Sequence, residues 1–576
     1  MQESDQAFPL LKNNPPLIIL VLIVLAGFVP VIVHAQEPRS PVSQQILRKC
    51  EYLEQFRHIP VCSTCVASHR IIPAFYRDRD YRPAWTNSKA IARMIQAIES
   101  ARDDGLMLQD YHYQAITALR KQLRNGPDDP AAVADLDMLL TDALLRLSYH
   151  LYYGKVNPES LDPDWNFKRN IHKLDPVVYL KNVIKSGNIQ ENLDKLRPQY
   201  PYYSILKENL QRYRAMAAHP WPVIPNGKVL KEGSRGPRVL LLRKRLAAEG
   251  YRASLKAGGN ATQVFDSALS EIVKQFQEQH ALDADGAVGK NTLRELNIPA
   301  SKRVDTIRVN LERARWILHD LEPEFLIVNI AGFKLYFVKN GKRQWQSKVM
   351  VGKPFWKTPC FRATIQYVVA NPYWVVPPGI LAKETIPKIK RDLSYLKKQN
   401  LEIVDSKGRV INPRSINWAK VNPRRFPYII RQKPGPKNAL GRIKFIFPNK
   451  HFVFLHDTPA KSLFSRSMRA FSHGCIRVEK PMELADILFK GSKKWNRDKI
   501  QEIINSGETT TIHLEHPMPI LILYWTVTTR KDGGINFLHD IYNRDQKILI
   551  GLDTPLRIAN IELPWQVTRN ETNRSY

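Results

Sequence analysis

The spacing of apolar residues changes character near Glu324, and that change governs what the chain can fold into. Upstream, apolar positions recur at intervals of three and four, as in Leu136, Leu139, Leu140, Ala143, Leu144 and Leu147, the pattern of a helix with one face against a core. Downstream, 325–330 and 334–338 read as strands, and Asn340-Gly341 reads as a hairpin turn into 345–351. The expectation is a multidomain α+β chain. Its 576 residues suggest three to four domains at about 150 each.

The prolines and glycines place the boundaries. Residues 71–220 form a helical scaffold domain with an aromatic-rich core that includes Trp85, Tyr149, Tyr152, Tyr153 and Trp165. A stiff linker with three prolines spans His219–Pro225. Residues 229–297 form a small three-helix module, with Val239, Leu242 and Leu246 on one helix and Leu269, Ile272, Val273 and Phe276 on the next. A turn carrying Gly286 and Gly289 leads into the third helix. Residues 322–507 form a mainly-β domain. Its insert at 381–450 carries 18 Lys/Arg against four Asp/Glu, and reads as a mobile basic cap. Residues 508–576 read as a C-terminal β extension with a hairpin at Lys531–Gly534.

Lys and Arg outnumber Asp and Glu by 87 to 54, and the net charge of +33 favours anionic partners. Leu17–Val33 contains no charged residue, follows Lys12, and ends in Val33-His34-Ala35. Residues 1–35 therefore read either as an export signal cut after Ala35 or as an uncleaved inner-membrane anchor. Either reading puts the rest of the chain across the membrane, in the periplasm, away from nucleic acid. Residues 36–70 read as a tether holding Cys50, Cys62 and Cys65, where one disulfide is expected and a zinc site is the alternative.

Cys475 stands in a different setting. A thiol nucleophile needs a base and donors for the oxyanion it creates. His456, at the end of the strand-like 451–456 segment, is the candidate base, and a neighbouring imidazole can lower the thiol pKa. Backbone N–H groups of His473, Gly474 and Cys475 are candidate oxyanion donors, and Gly474 permits the tight turn this requires. A metal site from His456, His473 and Cys475 would need a fourth ligand that the spacing does not supply.

Taken together, His456-Asp457-Thr458-Pro459, Arg469 and Ser472-His473-Gly474-Cys475-Ile476-Arg477 resemble the signature of the L,D-transpeptidases. Segments 351–359, 371–378 and 439–448 are similar to its large multidomain subgroup, and 229–297 is similar to a peptidoglycan-binding domain. The resemblance implies Cys475 as nucleophile, His456 as proton donor and acceptor, and His473 with Gly474 at the oxyanion site. It places Arg477, Ser472, Tyr373 and Trp374 among substrate-binding residues, with Ser472 structural more than catalytic. Asp457, adjacent to the base, is expected to point away from it.

The implied reaction is acyl transfer between peptidoglycan stem peptides, diaminopimelate to diaminopimelate, through a thioester and without a cofactor or metal. Carbapenem-type β-lactams would acylate the same thiol. Two alternatives stay open: the same thioester used to attach or release a lipoprotein, and a non-catalytic scaffold that grips glycan through 229–297.

Overall fold

The computed structural model describes residues 39–126, 129–162, 165–167, 175–251, 263–319 and 321–556. The apolar run at 17–33, and with it the signal-or-anchor expectation, lies outside them. Among the described residues no helix is long and apolar enough to cross a membrane.

The first described element corrects the tether. Helix α1 (Pro41–Phe56) is capped by the Ser40 hydroxyl and buries Ile46, Cys50 and Leu53 in the helical core. A hairpin of β1 (Ile59–Val61) and β2 (Thr64–Val66) follows, burying Ile59, Val61 and Val66 in the same core. Three apolar residues at helical spacing among polar neighbours suffice to dock a short helix. All five cysteines are free thiols, so the expected disulfide is not formed. Cys50 faces the core, where burial pushes its pKa up to about 12, whereas Cys62 is exposed after β1.

The rest of the helical layer comprises α2 (Ile71–Arg77), α3 (Ser88–Ser100), α4 (Tyr113–Asn125), α5 (Pro130–Tyr153), α6 (Pro158–Leu161), α7 (Pro176–Ser186), α8 (Ile189–Leu196) and α9 (Pro201–Ala217). Helix α5 is buried along most of its length. Its polar residues are matched: Asp137 accepts from Tyr76, and Asp142 pairs with Arg146 and His112. Buried polar groups without such partners would cost about 1–3 kcal/mol each.

The small module holds three helices, α10 (Pro237–Ala248), α11 (Ser267–Gln279) and α12 (Lys290–Leu296), around its own core. The proline linker docks on it through buried Ile224, whose N–H donates to Asn297. Helix α13 (Ala300–Ile317) then packs against α9 and leads into the sheet.

The sheet is built from β3 (Glu324–Asn329), β4 (Lys334–Lys339), β5 (Lys342–Gly352) and β6 (Phe361–Ala370), with later strands inserted between them. Asn340 and Gly341 both adopt positive φ at the β4–β5 turn, as a two-residue hairpin requires.

After β6 the chain forms the cap: β7 (Trp374–Val375), α14 (Pro378–Ile380), a π-turn (Leu381–Thr385), α15 (Ile386–Arg391), α16 (Ser394–Lys398), β8 (Leu401–Val404) and β9 (Ile429–Gln432). Its three strands pair in the order β7-β9-β8, and Val376, Ile389, Leu396, Ile403 and Ile430 make its own core. The insert is therefore a small folded unit. The expected 381–450 boundary is shifted, because β10 (Ile443–Ile446) pairs with β6 in the main sheet.

Strands β11 (Leu455–His456), β12 (Ala470–Ser472) and β13 (Ile476–Val478) follow, then α17 (Pro481–Leu488), α18 (Arg497–Ser506) and β14 (Thr510–Leu523). The strand order is β12-β5-β13-β11-β10-β6-β14-β3-β4, and β4 also pairs with β5, closing the sheet. Strand β14 therefore lies between β6 and β3, inside the β-domain and not in an extension beyond residue 507. Its end is apolar without alternation because both faces are covered: Ile520 and Ile522 face the sheet's own core, while Leu521 and Leu523 join the helical core. The expected hairpin forms as β15 (Val527–Thr529) and β16 (Ile535–Phe537), and α19 (Asp545–Asp553) packs on α13.

Candidate active site

Strands β11 and β13 run parallel, with Leu455 beside Ile476 and His456 beside Arg477. This register brings the histidine strand next to the strand that leaves the Ser472–Cys475 turn. Strand β10 flanks β11 on the other side and puts Lys444 opposite His456.

His456 is buried, and its Nδ1 lies 2.5 Å from the carbonyl oxygen of Asp457. That acceptor favours a proton on Nδ1 and leaves Nε2 unprotonated, the state a general base needs. The Asp457 carboxylate points away, as expected: it accepts the Arg442 N–H at 2.9 Å and pairs with Lys461 at 2.6 Å. Gly441, at φ +64°, makes this approach possible, because a Cβ there would collide with the Asp457 carboxylate.

Ionisation runs against the lowered thiol pKa expected from the sequence. Burial first, then the Arg477 charge, lowers the His456 pKa to about 3. The Cys475 thiol is raised by burial, against smaller lowering contributions from the Phe454 backbone, Arg477 and Lys444. The resting pair is therefore a neutral thiol and a neutral imidazole. Cationic Lys444 and Arg477 nearby disfavour a second positive charge on His456.

The turn is held from within. The Ser472 hydroxyl donates to the Cys475 carbonyl at 2.5 Å and accepts the Gly474 N–H at 3.1 Å. Ser472 thus has a structural role, and the Gly474 N–H is engaged, leaving those of His473 and Cys475 as oxyanion-donor candidates. Gly474 sits at φ +121° with open space where a Cβ would project. The His473 ring packs on Trp356 at 4.3 Å, and Glu384 of the cap's π-turn is near enough to bias its ionisation. Arg477 is half-buried, and its Nε has no hydrogen-bond partner.

Tyr373 and Trp374 lie at the base of the cap. Arg431 covers the Tyr373 ring at 4.2 Å, and Trp374 packs against the cap core.

Four participants escaped the sequence reading. The Thr358 hydroxyl donates to Gly474 O, and Tyr542 donates from its hydroxyl to Gly352 O. Lys444 faces His456. The Cys475 thiol lies 3.7 Å from the Phe452 carbonyl, at a residue with φ +54° and a ring 85% exposed. A bulky residue in left-handed conformation stores strain, as often found at functional sites. The motif spacing carries no signal for Thr358 and Tyr542, which act from distant segments, and Lys444 and Phe452 lie outside the motif residues themselves.

Comparison with known proteins agrees with this geometry. Residues 323–497 match the family described as "L,D-transpeptidase catalytic domain", 235–296 a "Putative peptidoglycan binding domain", and 70–210 a "Scaffold domain". Residues 323–497 therefore belong to the L,D-transpeptidase catalytic domains. A curated relative from Haemophilus influenzae, named "Putative L,D-transpeptidase", is 35% identical over 257 residues, covering 44% of this chain and 51% of the relative. The chain thus spans about half the length of that relative. Among solved structures, an L,D-transpeptidase from Mycobacterium smegmatis is 13% identical, covering 35% of this chain and 58% of that one, with a TM-score of 0.17. One from Xylanimonas cellulosilytica is 14% identical, covering 52% and 99%, with a TM-score of 0.15. Scores of that size carry no argument about this chain.

Proposed function

We infer that this protein cross-links peptidoglycan stem peptides by cysteine acyl transfer, diaminopimelate to diaminopimelate. The observation that carries the reading is the neutral His456, oriented by the Asp457 carbonyl on a strand beside the one that follows Cys475. His456 Nε2 takes the thiol proton as Sγ attacks the donor carbonyl, so charge develops only as the bond forms. The oxyanion is held by backbone N–H groups of the turn, each worth about 3–4 kcal/mol in a transition state. The imidazolium then protonates the leaving D-alanine amine, and a thioester remains. The acceptor's side-chain amine attacks the thioester, returns a proton to His456, and releases the thiol.

Arg477, with a buried donor lacking a partner, suits a substrate carboxylate beside the thiol. Tyr373 and Trp374 would act on substrate through the cap. The 229–297 module would hold the enzyme on glycan, in the periplasm, with residues 1–35 as signal or anchor. Carbapenem-type β-lactams would acylate Cys475.

The test is mass spectrometry of muropeptides after incubating the purified protein with tetrapeptide-containing peptidoglycan. Cross-linked dimers are expected, and Cys475→Ala should give none. Tripeptide products without dimers would show hydrolysis instead, and transfer to a lipoprotein lysine alone would favour the attachment reading.

A further inference from the structure

A cavity of about 290 Å³ lies where the helical domain, α13 and α19 meet the sheet, and no residue of the Ser472–Cys475 turn lines it. Arg313, Lys357, Arg544 and Lys547 line it, against a single lining carboxylate, Asp162. Its apolar walls include Trp165, Trp316 and Ile548.

One of the cations is under-partnered. Arg313 is 4% exposed; its Nη1 pairs with Asp545 at 2.6 Å, while its Nη2 is buried without a hydrogen-bond partner. Arg544 donates from Nη1 to the Cys360 sulfur at 2.6 Å, lies over the Tyr524 and Tyr542 rings, and has the Asp162 carboxylate as a charge partner. A buried donor without a partner carries a desolvation cost. An oxyanion would satisfy the open Arg313 donor through charge-assisted hydrogen bonds. Convergent polar groups among aromatic walls are the usual make-up of a small-molecule site.

We propose that this cavity binds a small organic oxyanion, its carboxylate or phosphoryl head held by Arg313, Arg544 and Lys547 and its planar apolar body against Trp165 and Trp316. The site is separate from the acyl-transfer centre and does not depend on the function inferred above.

The test is isothermal titration of the full-length protein with benzoate, phenyl phosphate and, as the neutral control, benzamide. Saturable binding of benzoate or phenyl phosphate is expected, and the tighter of the two identifies the preferred head. Lys547→Glu, a change at an exposed rim position, should weaken it by about tenfold or more. Cys475→Ala should bind as the parent does. The proposal is overturned if neither anion binds saturably, if benzamide binds equally well, or if Lys547→Glu has no effect. Loss of binding in Cys475→Ala would place the ligand at the thiol and overturn it too.

Discussion

The Thr358 hydroxyl donates to the Gly474 carbonyl at 2.8 Å while accepting the Gly352 N–H at 2.9 Å. One buried side chain thus ties the end of β5 to the Ser472–Cys475 turn. Thr358→Val keeps the shape and leaves both backbone groups unpaired, at about 1–3 kcal/mol each. Acylation should slow by about tenfold or more, and Thr358→Ser should restore most of it. A valine variant that acylates at the parent rate would leave Ser472 as sufficient to hold the turn.

A neutral resting pair has a pH signature. Thiol alkylation by iodoacetamide should rise as pH increases past the ordinary thiol value, with no plateau below neutrality. An ion pair would instead react at a constant rate down to acidic pH. His456→Ala should acylate slowly near neutrality and recover only as pH rises past the ordinary thiol value of about 8.5.

Stability should carry the same imprint. His456 is held unprotonated down to about pH 3, whereas its unfolded form takes a proton near 6.5. Between these values the unfolded chain binds more protons, so stability should fall as pH drops from 6.5 to 3. Denaturant midpoints for the parent and His456→Gln across that range would measure it. A dependence that is not shallower in the variant would remove His456 as its source.

Gly441→Ala should damage catalysis from a position that touches no substrate. The added Cβ meets the Asp457 carboxylate, and φ is +64°, so either Asp457 or the backbone has to move. A kcat reduced by about tenfold with KM little changed is expected, from steady-state assays of dimer formation. An unchanged kcat would mean that the Asp457 carbonyl can shift without disturbing His456.

The basic cap should act on substrate binding through charge. Replacing Lys383, Lys388 and Lys390 with Gln should raise the apparent KM and flatten its dependence on salt, since exposed charges are screened over about 8–10 Å at ordinary ionic strength. Identical kinetics would reduce the segment to ordinary solvated surface.

Much of the site is local in the chain, and that part was legible. Ser472, His473, Gly474 and Cys475 form one turn, and Asp457 follows His456, so motif and adjacency suffice. Thr358 reaches the same turn from far upstream and is itself held by Tyr542 from far downstream, where spacing carries no signal. The charge state of His456 was not legible for a related reason: burial is a property of the assembled sheet. Helix α1 was missed because its docking rests on only Ile46, Cys50 and Leu53. Strand β14 was read as β but placed outside the domain, because its partners β3 and β6 lie far upstream, where spacing carries no signal of pairing.

The position of β14 bears on when the site is assembled. It joins β3 through Leu326 and Ile520, residues at opposite ends of the β-domain's sequence. A nascent chain that has reached Ser506 already contains Cys475 and His456, but lacks the strand that closes the sheet between β6 and β3. Pairings this distant are slow to form. The thiol is therefore synthesised before the framework that aligns it, and its reactivity towards other thiols during maturation depends on how quickly that last strand docks.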